Sequence, residues 1–155
     1  MSIKNTTLSR FVELGYNYKL SDISAAIGIE QLKRIKQIIQ KRRMLADYYS
    51  KRLSELADIT PPFVGAGAVH VYQSYVCVLN KKIDRDKVIH LLKKEGVGTQ
   101  IGTYSCHVQP VYNSDDICPN SLELFRRSIA LPLYYDMVFE DVDYVVNKLE
   151  RVLDG

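Results

Sequence analysis

Apolar residues recur at three- and four-residue steps from Ser21 to about Leu56. Ile23, Ala26 and Ile27 begin the stripe, and Leu45, Tyr48, Tyr49, Leu53 and Leu56 continue it, the spacing of a helix face. Ser21 and Asp22 open it, residue types that satisfy the unpaired backbone donors of a first helical turn. Unbroken, such a helix would be ~50 Å long at ~1.5 Å per residue, against about 40 Å for the diameter of a compact chain of this size. Either it bends, with residues 33–40 as the place, or it protrudes. The prolines of ITPP (59–62) end the helical region, and VGAGA (64–68) reads as loop.

VHVYQSYVCVLN (69–80) is rich in valine and tyrosine with apolar groups on both alternating faces, which predicts a central strand. Asp84 is placed to cap a short helix carrying Val88, Leu91 and Leu92, and Gly96 stands where a helix end favours a left-handed residue. Residues 97–104 predict a second strand, and 105–120 a long loop of the kind that often carries function. Ser121 opens another predicted helix, with Leu122, Phe125 and Ile129 on one face and Pro132 as its stop. Val142, Val145, Val146, Leu149, Val152 and Leu153 form the apolar face of the last. The sum is an α+β fold, a small mainly antiparallel sheet covered by helices and entered by a long N-terminal helix.

Composition changes this picture little. The 155 residues are 46% hydrophobic and 25% charged, enough apolar material for one ordinary core, and the formal charge of +3 permits anionic ligands without demanding nucleic acid. Three cysteines, Cys77, Cys106 and Cys118, fit no paired disulfide framework. No apolar run is long enough for a signal peptide or a membrane span, so the expectation is a soluble, cytoplasmic protein.

Candidate chemistry is sparse. No Walker-type phosphate loop is present, and GAGAVH after Pro62 does not lead from a strand into a helix. His70, His90 and His107 lie far apart in sequence, so no metal site is expected. Neighbouring residues on an extended chain point apart, which argues against a Cys106–His107 nucleophile pair. His107, between a strand end and the long loop, suits ligand binding as well as it suits a structural hydrogen bond. The basic residues of KRIKQIIQKRR (33–43) surround Ile35, Ile38 and Ile39 with no interleaved aromatics, which reads as a solvated helix face rather than a nucleic-acid surface. Asn17 and Lys19 precede a helix start, a position that welcomes anions.

Four ordered blocks carry a resemblance: GYNYKLSDISAAIGIEQLKRI from Gly15, the strand opening HVYQSYV, then IGTYSCHVQPVY, and LFRRSIALPLYYDMVFEDVDYVV. Together, from Gly15 to Leu153, they resemble the C-terminal part of the DegT/DnrJ/StrS sugar aminotransferases, pyridoxal-phosphate enzymes of the aspartate-aminotransferase-like fold (fold type I). The resemblance implies that residues 1–20 are a lead-in from a large domain and 21–155 the C-terminal small domain. It also implies that Asn17 reaches across a homodimer interface to the cofactor phosphate of the other subunit. Lys19 stands where the family commonly has arginine, so a cationic contact persists without a bidentate fork. Tyr104 and His107 fall on the sugar-nucleotide side of the site, with Cys106 where small or apolar residues are usual.

The lysine that carries the cofactor in such enzymes lies upstream of the GYNY block. Lys4 has neither the preceding strand nor the following glycine-rich run expected of it. No catalytic residue is therefore expected in this chain. The resemblance implies the C-terminal domain of a transaminase for a keto-sugar nucleotide, with glutamate the amino donor. Alone, the chain is expected to fold but neither to hold pyridoxal phosphate nor to transaminate. The alternative is a non-catalytic binding or regulatory module with the same fold, whose surface around Ile23, Ile27 and Ile29 should be polar. Three isoleucines there instead favour a covered surface, a homodimer interface through the N-terminal helix region.

Overall fold

The structure, a computed structural model, describes Tyr16 and residues 18–155. The chain divides into two compact units, Met1–Arg34 and Ile35–Gly155, and the division falls inside helix α1 (Asp22–Leu53). Helical hydrogen bonding runs unbroken through residues 33–40, the stretch expected to bend.

In the first unit, Ser21 caps α1 as its residue type predicts. Its hydroxyl accepts from the Ser24 amide at 3.3 Å, and its carbonyl accepts from Ala25 at 2.8 Å. The rings of Tyr16 and Tyr18 lie 5.8 Å apart, and Lys33 pairs with Glu30 one turn away. Ile23 and Ile27 are exposed, at 77% and 60% of their surface.

The second unit continues α1, which now buries Leu45, Ala46, Tyr49 and Leu53. After it come β1 (Ile59–Thr60), β2 (Tyr75–Leu79), α2 (Arg85–Lys94), β3 (Gln100–Ile101), α3 (Pro119–Arg127), β4 (Ser128–Leu131) and α4 (Phe139–Asp154). The sheet runs β1-β2-β4-β3 with every pairing antiparallel. Tyr75, Cys77 and Leu79 of β2, opposite Leu131 and Ile129 of β4, share the core with α1, α2 and α4.

The caps of α2 match the sequence closely. The Asp84 carboxylate accepts from the amides of Asp86 and Lys87. At the other end Gly96, with φ of 79°, donates to the carbonyl of Lys93 while Val97 donates to that of Leu92, the paired bonds of a left-handed helix stop. On α4, the Asp141 carboxylate reaches back to the Val138 amide at 2.9 Å.

Four expectations are corrected. The strand expected over 69–80 is confined to Tyr75–Leu79. Upstream of it, Tyr72 takes a left-handed φ of 49° and its amide donates to His70 Nδ1 at 2.9 Å. Arg42 captures the carbonyls of Tyr72 and Gln73, so these groups are unavailable to a ladder. The strand expected over 97–104 shrinks to Gln100–Ile101. The helix expected from Ser121 to Pro132 is two elements. It starts at Pro119, proline being preorganised for a first helical position, and gives way at Ser128 to β4, which sits inside the sheet. Finally, Ile59 and Thr60, expected only to end the helical region, form a short strand that pairs with Leu79 and Val78. The covering of the sheet by helices and its antiparallel pairing agree with the expected α+β architecture.

The basic run is not one solvated face. Arg42 Nη1 donates to the carbonyls of Tyr72, Gln73 and Leu133 at 2.9–3.2 Å and so fastens α1 to two loops. No described helix is long and apolar enough to cross a membrane.

Candidate functional site

The long loop opens where β3 ends. Gly102 succeeds Ile101 opposite Ser128, and a Cβ there would lie 2.5 Å from Val76 and 2.8 Å from the Ser128 side chain. Only glycine lets the chain pass this point, and passing it delivers Thr103, Tyr104 and Ser105 to one end of the sheet.

Ser105 is fully buried and organises the loop beyond it. Its Oγ lies 2.9 Å from His107 Nδ1 and 2.8 Å from Ser121 Oγ, and its carbonyl accepts from Gln109 Nε2 at 3.3 Å. The serine pair ties the start of the loop to the first turn of α3. The loop between is not featureless: Cys106–Val108 and Pro110–Tyr112 each make a single 3-10 turn, and Asn113 closes the second in the left-handed region.

With a neutral imidazole, these ties allow two proton arrangements at His107. If Ser121 donates to Ser105 and Ser105 to Nδ1, then Nε2 carries a proton and can donate to a ligand. If the bonds run the other way, Nε2 is an acceptor. Either way one imidazole edge is fixed and the other is available for recognition.

Tyr104 and His107 line one surface cavity of about 620 Å³ with Tyr112, Ser114, Asp116 and Ser121, and the thiols of Cys106 and Cys118 complete its wall. Hydroxyl, carboxylate and imidazole groups alternate here with two tyrosine rings, a lining suited to a hydroxyl-rich ligand that also offers flat faces. The Tyr104 ring is 64% exposed and rests 5.8 Å from Phe125. Behind it the buried Arg85 guanidinium lies over Phe125 and donates to the carbonyls of Phe125 and Ser128 at 2.8 and 3.2 Å.

The sequence singles out Tyr104 and His107, and the two line the same cavity. It misses Ser105 and Ser121, which hold them there; the signal was a serine at a strand end and another in a first helical turn, both easily read as solvent-facing caps. Cys106 is exposed on the cavity wall. Among the described residues no three histidine, cysteine, aspartate or glutamate side chains meet to hold a metal ion.

Of the two residues expected at a cofactor phosphate, Asn17 lies outside the described residues. Lys19 is exposed, two residues before the Ser21 cap. The first turn of α1 adds unpaired amides and the positive end of the helix dipole, so this donor set fits a phosphate. No lysine is among the residues that line the Tyr104–His107 cavity.

Residues 2–150 match the model of the DegT/DnrJ/EryC1/StrS aminotransferase family. The chain is 31% identical over 150 residues to an uncharacterized protein of Methanocaldococcus jannaschii, covering 92% of this chain and 39% of that protein. It is 29% identical over 150 residues to the spore coat polysaccharide biosynthesis protein SpsC of Bacillus subtilis, covering 91% and 39%. Among solved structures, PseC of Helicobacter pylori, an aminotransferase involved in the biosynthesis of pseudoaminic acid, superposes with a TM-score of 0.85 at 19% identity. That match covers 97% of this chain and 42% of PseC, and at such identity it speaks for the fold alone. The chain thus spans about 39% of the length of the curated relatives it matches.

Proposed function

Since the chain belongs to the DegT/DnrJ/EryC1/StrS aminotransferase family, whose cofactor is pyridoxal phosphate, we propose that it forms the substrate-side portion of an aminotransferase for keto-sugar nucleotides. The observation that carries this reading is the cavity in which the Ser121–Ser105–His107 chain holds an imidazole beside Tyr104. In the proposed mechanism His107 hydrogen-bonds a sugar hydroxyl or carbonyl through Nε2, and the Tyr104 ring gives a flat face to the sugar or nucleotide. Ser105 holds the imidazole edge so that little rotamer freedom is lost on binding.

Asn17 and Lys19, with the first turn of α1, hold the cofactor phosphate of a second subunit. The exposed Ile23 and Ile27 support a homodimer through this region, since an apolar stripe on a helix otherwise stands in water. Bound pyridoxal phosphate supplies the electron sink and the amino-group carrier. Glutamate is the amino donor, and the cofactor-carrying lysine comes from the rest of the enzyme, so this chain alone binds the sugar nucleotide without turning it over.

The test is a titration of the chain with dTDP- and UDP-linked sugars, monitored by calorimetry. Saturable binding that weakens about tenfold or more in His107→Ala and Tyr104→Ala, roughly 1.4 kcal/mol, is the expected result. Binding that is absent, or indifferent to both substitutions while the fold is intact, overturns it.

A further inference from the structure

Two of the three thiols of this chain stand on the wall of one cavity. Cys106 begins the first 3-10 turn and Cys118 caps the N-terminus of α3; both are exposed, and both line the cavity that holds Tyr104 and His107. The third, Cys77, is fully buried in β2, where burial pushes its thiol well above the ordinary range. Accessible and inert thiols are thus sharply separated.

The segment between the two exposed thiols can close on itself. Its ends are clamped by the Ser105–Ser121 hydrogen bond, one residue before Cys106 and three after Cys118, so both cysteines sit at the base of one loop. Between them lie two single-turn helices, held to Ser105 through His107 and Gln109, and beyond these the Ser114–Asp116 contact, with no strand and no α-helix. A disulfide needs Cα atoms about 4.4–6.8 Å apart. Both cysteines stand on the wall of the same cavity, so a bond between them joins two parts of its lining across the base of the loop.

We propose that Cys106 and Cys118 form a dithiol modification site, oxidised by small disulfides of the glutathione class, that closes the cavity. In the first step one thiolate attacks oxidised glutathione, forming a cysteinyl–glutathione disulfide and releasing one glutathione thiolate. In the second the other cysteine's thiolate attacks the cysteinyl sulfur, forming the Cys106–Cys118 bond and releasing the second glutathione. Two protein thiols are oxidised, one glutathione disulfide is reduced, and the two protons lost by the cysteines are taken up by the two released thiolates. The dithiol stands on its own geometry; its effect on substrate rests on the sugar-nucleotide reading above.

The experiment treats the folded chain with oxidised glutathione, blocks remaining thiols with N-ethylmaleimide, and maps the products by mass spectrometry. Amide exchange over residues 105–121 is measured before and after. The expected result is one internal bridge joining Cys106 to Cys118, Cys77 unmodified, and exchange over 108–117 slowed about tenfold, all reversed by dithiothreitol. Cys106→Ser should then leave Cys118 as a stable glutathione adduct. Separate glutathione adducts on both cysteines with no internal bridge, or a bridge that leaves exchange unchanged, overturn the proposal. Titration with the same dTDP- and UDP-linked sugars separates the two readings. A reduced chain that binds no sugar nucleotide refutes the substrate reading while bridge and exchange still decide the dithiol. A reduced chain that binds, with the bridged form binding equally well, refutes closure and leaves the substrate reading standing.

Discussion

Replacing Arg85 by methionine tests how the site is held from behind. Arg85 is only 5% exposed, and its Nη1 donates to the carbonyls of Phe125 and Ser128, at the C-terminal end of α3, where carbonyls lack helical partners. Methionine keeps much of the aliphatic volume but removes both bonds. Hydrogen bonds from a charged donor contribute about 1.5–3 kcal/mol each, so the gross loss is about 3–6 kcal/mol. Against this, the variant no longer desolvates a guanidinium, which returns part of that loss. The net destabilisation is then about 2–4 kcal/mol, or a fall in Tm of roughly 4–16 °C for a chain of this size. Arg85→Lys, able to reach one carbonyl at a time, should lose about half as much. Asp86→Asn, which touches only the exposed partner of Arg85, should cost under about 1 kcal/mol. Urea denaturation monitored by circular dichroism measures all three. An Arg85→Met variant within about 0.5 kcal/mol of the parent at unchanged m would falsify the claim that this cation braces α3.

Three other perturbations test separate parts of the fold. Tyr49→Phe removes the hydroxyl that donates to the Pro132 carbonyl at 3.0 Å while keeping the ring 4.9 Å from Tyr75, so thermal denaturation should register a loss of about 1 kcal/mol; no change would mean that water replaces the bond without cost. Gly102→Ala forces a Cβ against Val76 and Ser128 and should cost about 1–3 kcal/mol while weakening sugar-nucleotide binding at the adjacent Tyr104, and an unperturbed variant would contradict the close packing. The Lys148 ammonium at 2.5 Å holds the Glu95 carboxyl below its ordinary value of 4.5. Its contribution to stability is therefore present above that value and lost as pH falls through the lower folded value. Stability compared between pH 6 and pH 3 should fall less steeply in Glu95→Gln than in the parent, and parallel pH profiles would remove the linkage.

Elements whose signal is local were legible in the sequence. Asp84 and Gly96 bracket α2 as their types require, and the apolar stripe from Val142 to Leu149 is the buried face of α4. The features that escaped are non-local. Ile129 sits seven residues after Leu122 and four after Phe125, which fits a helix face equally well. Only the pairings of Ser128 to Val78 and of Ile101 to Ile129 decide for a strand. Similarly, residues 69–74 look like strand until Arg42, thirty residues earlier, takes their carbonyls. At the site, the family resemblance singled out Tyr104 and His107, while the Ser105–Ser121 tie depends on α3 returning to the strand end, a fact of topology.

The position of β4 between β2 and β3 also sets a timetable. The half of α1 that buries Leu45, Ala46 and Tyr49 leaves the ribosome some 80 residues before Ile129 and Leu131 exist to complete the same core. At roughly 5–20 residues per second that is a delay of about 4–16 s. During it the α1 face and the edge of β2 are open to other chains, because the strand that divides them from solvent is made only after them. Synthesis beyond Leu131, rather than helix formation, is therefore the event that commits this chain to its fold, and codons that slow elongation between residues 80 and 128 prolong its exposure to aggregation.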